Sequence, residues 1–296
     1  MNLIDEIKKS FKNGDVLTRL IYVNLAVFVV FNLVLVFALI FKLSPPPIFS
    51  WFMLPASPTE LMMKPWTLIT YMFLHKGFWH VVINMFWLYF GGKLFLQYFD
   101  GKRMLSVYFL GGLSGAALYI LAFNLLPAFS DIASVSKALG ASASVLAIMV
   151  AIATYIPNFR VQLFLFGKIQ LKYIAIAAVV IDLLSMAGTN AGGHIAHLGG
   201  AIFGFYFSRS WLQGKDISQW FSSLLDGLIS VFVKREKKAK MKVKYKRNQK
   251  TKDDEFTSRK KAQQDEIDAI LDKIAKTGYD SLSKEEKDTL FRMSKE

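Results

Sequence analysis

The chain of 296 residues contains no cysteine. Disulfides, thiolate metal sites and a cysteine nucleophile are therefore excluded. Histidine is scarce, with four in the chain: His75, His80, His194 and His197. The His194 and His197 pair lacks the accompanying Glu of a zinc-protease helix. The N-terminus (Asp5, Glu6, Lys8, Lys9, Lys12, Asp15) has no small-residue cleavage site, so the first apolar run reads as a retained anchor. Acidic residues are outnumbered, 22 against 36 Lys and Arg, for a formal net charge of +14. On a chain that is 53% hydrophobic, this excess reads as cytoplasmic positive charge. Nucleic acid is not an expected partner, because the basic run follows an apolar domain instead of patterning a reading surface.

Hydrophobic runs are abundant. Six stretches are long and apolar enough to cross a bilayer, near 19–41, 78–98, 103–126, 140–156, 169–187 and 194–212. The fold class expected is an all-α membrane protein, a bundle of six transmembrane helices with a small helical cytoplasmic tail. The fourth stretch is short, as a helix that starts below the membrane surface would be. Between the first two lies a loop, Lys42 to Gly77, with Pro45-Pro46-Pro47 and the cluster Phe49, Trp51, Phe52, Met53, Leu54. So much aromatic surface places the loop partly in the membrane interface.

Basic residues set the orientation. With the N-terminus inside, the inner side carries Lys8, Lys9, Lys12, Arg19, Lys93, Lys102, Arg103, Arg160, Lys168, Lys172 and Arg209, while the outer side keeps Lys42, Lys64, Lys76 and Lys137. Both termini are therefore expected in the cytoplasm of a multi-pass cell-membrane protein. The chain divides into a lead-in (1–18), a membrane domain (19–212), an amphipathic and basic membrane-surface segment (213–250), and a linker with a small helical hairpin (251–296). In the third part, Ile217, Trp220, Phe221, Leu224, Leu225, Leu228, Ile229 and Phe232 recur at helical spacing. Ten Lys or Arg between Lys234 and Lys250 should hold the segment against anionic lipid. A polar linker is expected to about Gln264. Then come two short helices, the first with Ile267, Ile270, Leu271 and Ile274, the second opened by the capping-box pattern Ser283-Lys-Glu-Glu286.

This topology brings polar groups into one layer. His80 and Asn84 fall in the first two turns of the second span, Ser142 in the first turn of the fourth, and His194 and His197 early in the sixth. All three spans start from the outer side. Ionisable and amide side chains inside a bilayer are costly and line wet cavities or pair with one another. Ser142 lies in Gly140-Ala141-Ser142-Ala143-Ser144, where small flanking residues let a substrate backbone approach. His197 lies in Ala196-His197-Leu198-Gly199-Gly200, so a Ser–His dyad is the candidate chemistry. Ala196, Gly200 and Gly204, and Gly111 and Gly115, are spaced for close helix packing. Asp182 is the other costly residue; it and His194 are candidate accessory groups, Asp182 facing the cavity or pairing with a polar neighbour. His75 is expected to anchor the loop before the second span. Two other classes fit parts of the pattern. One is a His-rich metal-binding transporter or metalloenzyme, which leaves Ser142 without a role. The other is a non-catalytic binder of membrane proteins.

Three motifs together, His80-Val-Val-Ile-Asn84, Gly140-Ala141-Ser142-Ala143 and Ala196-His197-Leu198-Gly199-Gly200-Ala-Ile-Phe-Gly204, resemble those of the rhomboid intramembrane serine proteases. The likeness covers roughly residues 15–212. It implies cleavage of single-span transmembrane substrates by a Ser142–His197 dyad without a third acid. It also implies oxyanion stabilisation by the Ser142 backbone N–H with His80 and Asn84, and no cofactor. The fifth span and the loop Gly188 to Gly193 are candidates for a substrate gate. Three positions depart from the family pattern. Ala143 replaces a second glycine. Leu146 stands where many members have an aromatic stacked on the catalytic histidine, which leaves packing alone to orient His197. Trp66-Thr67 replaces the usual Trp-Arg of the first outer loop, removing a loop-stabilising arginine.

Overall fold

The computed structural model describes residues 2–43, 48–163, 167–188, 190–232 and 248–293. Six apolar helices form its first unit: α1 (Val16–Ile40), α2 (Phe78–Phe95), α3 (Gly101–Leu125), α4 (Ser142–Tyr155), α5 (Leu171–Ser185) and α6 (Ala191–Leu212). Each coincides with one of the six apolar runs. Among the described residues, α1 and α3 are long and apolar enough by themselves to cross a membrane. A short helix, Leu3–Asn13, precedes α1. Asp15 caps α1 by accepting from the Thr18 N–H at 2.8 Å, and Asp100 caps α3 through Arg103 N–H at 2.9 Å.

The interior belongs to α4, ten of whose fourteen residues are buried. It packs against α2, α3 and α6. Small residues set how close these helices come. A Cβ added at Gly204 would lie 2.9 Å from the Ala147 carbonyl carbon, and one at Gly115 would lie 2.6 Å from the Ala196 carbonyl oxygen. The four-residue spacings are thus close-packing faces, on which helix backbones touch. By contrast, α1 buries little beyond Leu17, Leu20, Asn24 and Ala38, and α5 buries Leu171, Ala175 and Asp182.

The fold is mostly helical but not purely so. Leu54–Pro55 pairs antiparallel with Lys137–Ala138, and Arg160–Leu163 pairs with Gly167–Gln170 in a ribbon between α4 and α5. The loop before α2 is itself folded, with short helices at Ile48–Phe52, Pro58–Met63 and Thr67–Thr70. Other bonds hold it in place of an arginine. Trp66 stacks on Trp51 at 6.4 Å and donates through Nε1 to the Trp51 carbonyl at 2.8 Å. Glu60 bridges Lys64 and Lys137, each at 2.8 Å, tying the loop to the strand just before α4. The residues Pro45-Pro46-Pro47 lie outside the described set.

After α6 comes α7 (Gln219–Phe232), which packs Phe221 near Phe109 of α3 and leaves Trp220 and Leu224 exposed. Lys102–Asp226 at 2.6 Å and Arg103–Asp216 at 3.0 Å fasten this region to α3. Most of the basic run from Lys234 to Lys250, and the side chains of Leu228, Ile229 and Phe232, lie outside the described residues.

The second unit, Arg235–Glu296, contains α8 (Asn248–Thr277) and α9 (Lys284–Met293). The stretch expected to be a polar linker up to Gln264 is instead part of α8. It holds no Gly or Pro and is rich in Lys, Gln, Asp and Glu, so nothing in it interrupts a helix. The capping box forms: Ser283 N–H donates to Glu286 at 2.7 Å, and Glu286 N–H donates to Ser283 Oγ at 3.2 Å. Ile270 and Leu282 are buried, and Lys273 pairs with Glu286 at 2.9 Å.

Candidate active site

At the N-terminal ends of α2, α4 and α6, side chains far apart in sequence meet. The Ser142 hydroxyl lies 2.5 Å from His197 Nε2. On the far side of that ring, His197 Nδ1–H donates to Asp182 Oδ1 at 2.8 Å. A carboxylate oxygen accepts, so Nδ1 carries the proton, and Nε2 is left with the lone pair that can accept from the Ser142 hydroxyl. His194 Nδ1–H donates to the same Asp182 oxygen at 2.7 Å. The expectation that packing alone orients His197 is thereby corrected. A carboxylate from α5 bonds the ring as well, where Leu146 supplies no aromatic face.

Gly140, two residues before Ser142, has φ +132°, a conformation that side-chain-bearing residues rarely adopt. A Cβ there would sit 3.1 Å from His80 Nε2 and 3.3 Å from Ser142 Oγ. The absent side chain keeps clear a point flanked by both groups. Asn84 is 6% exposed and its amide donates back to the His80 carbonyl at 2.8 Å. All four groups, with Asp182, line one cavity of about 790 Å³. Its walls are apolar, with Ile83 and Trp87 from α2 facing Tyr173, Ile174 and Ile181 from α5. Such walls suit a hydrophobic ligand whose polar backbone meets a few fixed polar groups.

His75 sits deeper than a loop anchor requires. It is 1% exposed, its Nδ1–H donates to the Phe73 carbonyl at 3.2 Å, and its ring lies 5.0 Å from that of His80. Burial pushes its pKa down to about 4, with the neighbouring His80 adding to the effect and the Phe73 bond opposing it. Asn190, which the sequence did not single out, also lines the cavity. Its signal was positional, an Asn directly before the glycine-rich start of α6. Ala191 to Gly193, expected as loop, form the first turn of that helix. For a metal, Asp182, His194 and His197 each offer one ligand atom, all within 4.8 Å of one another. As arranged, those atoms satisfy one another by hydrogen bonds.

Comparison with known families decides the assignment. A model described as the Rhomboid domain matches residues 63–213, just over half of the chain. The chain belongs to the rhomboid family. Residues 250–296 match a second model, described as a family of unknown function (DUF6576). Among curated rhomboid relatives, RHOMBOID-like protein 12, mitochondrial, of Arabidopsis thaliana is 31% identical over 144 residues, covering 46% of this chain and 43% of that one. Presenilin-associated rhomboid-like protein A, mitochondrial, of Danio rerio is 26% identical over 157 residues, covering 52% and 38%. Inactive RHOMBOID-like protein 8 of Arabidopsis thaliana is 34% identical over 82 residues, covering 28% and 23%. The chain thus spans less than half the length of these relatives. One of them is named as inactive, so the rhomboid fold alone does not imply catalysis; the site must.

Proposed function

We propose that this rhomboid is an intramembrane serine endopeptidase that cuts single-span transmembrane proteins with Ser142 and His197. The observation that carries the reading is the 2.5 Å contact between the Ser142 hydroxyl and His197 Nε2, inside the apolar-walled cavity. In this reading α1 to α6 all cross or enter the bilayer of the cell membrane, with both termini in the cytoplasm and the site toward the outer side. Fourteen residues make α4 about 21 Å long, short of a hydrocarbon core of about 30 Å. A helix so short, buried on nearly every side, carries its N-terminal serine below the membrane surface. Exposed apolar residues such as Leu33, Leu39, Phe86, Leu184 and Ile202 face lipid. The basic segment after α7 rests on anionic lipid of the inner leaflet.

The substrate helix unwinds locally, because an intact helix hides its carbonyls in its own hydrogen bonds. Ser142 Oγ attacks the scissile carbonyl carbon as its proton passes to His197 Nε2. The carbonyl electron pair becomes an oxyanion, which the Ser142 N–H, His80 and Asn84 stabilise; each such donor is worth about 3 kcal/mol. Collapse breaks the C–N bond, and His197 returns the proton to the leaving amine. Water then enters with His197 as its base and frees the acyl group.

The test is cleavage of a labelled single-span substrate in proteoliposomes by wild type, Ser142→Ala and His197→Ala, with and without chelator. Loss in both variants, with no effect of chelation on wild type, is the expected result. The cluster of Asp182, His194 and His197 favours one rival, a metal-dependent activity. Loss on chelation with Ser142→Ala still active would replace the proposal with that rival. Binding without cleavage in every sample would leave a non-catalytic binder of membrane proteins.

A further inference from the structure

Asp182 is the one charged side chain on α5 that is buried among the described residues. Nothing in a Ser–His dyad requires it. An ionisable group at this depth persists only where it is paired, and here both pairings go to one oxygen, from His194 and His197. The two histidines stand three residues apart on α6 and so share a helix face. Two N–H donors fix the position of the carboxylate more tightly than one would. Meanwhile α5 is otherwise lightly held: Ile176, Ile181, Leu183 and Leu184 are exposed, and Leu171 and Ala175 are the other residues that it buries.

We propose that Asp182 is the positioning residue of the dyad: with His194 as its second anchor, it holds His197 as the Nδ1–H tautomer. The docked place of α5 is then the state in which Ser142 has a base. Without the carboxylate, His197 is free to carry its proton on Nε2, where it cannot accept from the serine. The proposal rests on the serine-protease reading for its kinetic consequence, though not for its tautomer.

Two measurements on the full chain in proteoliposomes separate these layers. In the Ser142→Ala background, 15N-histidine solid-state NMR should report His197 protonated on Nδ1, and Asp182→Asn should remove that signature. In the Ser142-containing chain, Asp182→Asn should lower kcat by about 100-fold, within the range of a general base's contribution, and leave KM within about two-fold. His194→Ala should lower kcat by a smaller factor, and should add nothing to Asp182→Asn, because both remove one bridge. Asp182→Glu, which keeps the acceptor, should recover part of the rate. Retention of the Nδ1–H signal in Asp182→Asn, or an unchanged kcat, overturns the proposal. So does loss of wild-type cleavage on chelation, since the cluster would then be holding a metal ion. A wild-type chain that cleaves nothing, yet loses the tautomer with Asp182, removes the protease reading and upholds the positioning role.

Discussion

Gly200 lies on α6 three residues after the histidine of the site and faces the first turn of α4. A Cβ there would lie 2.8 Å from the Ala143 carbonyl carbon and 3.1 Å from its Cα, and closer still to its oxygen. These atoms are backbone, so no side-chain rotation relieves the clash. Carbon atoms settle at about 3.5–4.0 Å, so Gly200→Ala must part α4 from α6 by about 0.7 Å or more. Overpacking of this kind costs about 1–3 kcal/mol. On the proposed serine-protease reading the greater consequence is kinetic, because the parted helices carry Ser142 and His197. A displacement of about 1 Å in a reacting pair can cost about 100-fold in rate, so Gly200→Ala should lose between about 10- and 100-fold in kcat. Gly204→Ala meets the Ala147 backbone a turn farther along, at 2.9 Å, and should cost similar stability with a smaller loss of rate. Gly227→Ala, whose added Cβ meets no atom of the described residues within 4 Å, is the control. The assays are cleavage in proteoliposomes and thermal unfolding in detergent. A Gly200→Ala chain with wild-type kcat and an unchanged melting midpoint would refute the claim that α4 and α6 touch here through backbone.

Two further expectations concern parts outside the dyad. The pKa of His75 is held at about 4 in the folded chain against 6.5 when unperturbed, so the unfolded chain takes up its proton first as pH falls. Stability is therefore lost on acidification between about pH 6.5 and 4, by up to about 3 kcal/mol. His75→Gln should shrink the fall in melting midpoint across that window; an equal fall in both chains would show that His75 is not the group responsible. In the tail, Ser283→Ala removes one half of the capping box and should destabilise α9 by about 1 kcal/mol, read as reduced amide-exchange protection in residues 284–293. Unchanged protection there would mean that the box contributes nothing to the helix.

Apolar periodicity located α1 to α6 to within a few residues because an apolar helix of fourteen residues or more leaves a long uninterrupted signal. Short elements leave little. The ribbon between α4 and α5 had a faint one, Arg160-Val161-Gln162-Leu163 alternating polar and apolar, but four residues compete poorly with the long runs on either side. Leu54–Pro55 had none, since two residues define no period. The first stretch of α8 was readable from its helix formers and lack of breakers, yet its polarity resembled that of a linker. In the site, Ser142, His80, Asn84 and His197 could be grouped from the sequence because each lies within the first two turns of an apolar helix. The partner of Asp182 was not, because hydropathy marks a residue as costly without saying which neighbour offsets it.

That partner bears on how the departures from the family pattern fit together. Leu146 removes an aromatic face that would steady the imidazole by stacking, and the ring here is 21% exposed, so packing alone leaves it room to turn. A carboxylate that accepts from Nδ1 restricts the ring by a directional bond and chooses its tautomer, which stacking does not do. The two devices are alternatives, so restoring one should relieve the loss of the other. Leu146→Tyr in an Asp182→Asn chain should regain part of the missing kcat, while in an otherwise wild-type chain it should gain little. The measurement is a double-mutant cycle on kcat in proteoliposomes. Coupling of at least several-fold is expected if both side chains act on His197. Strict additivity would mean that Leu146 and Asp182 serve different ends, and that the absence of an aromatic at position 146 has no bearing on how the histidine is held.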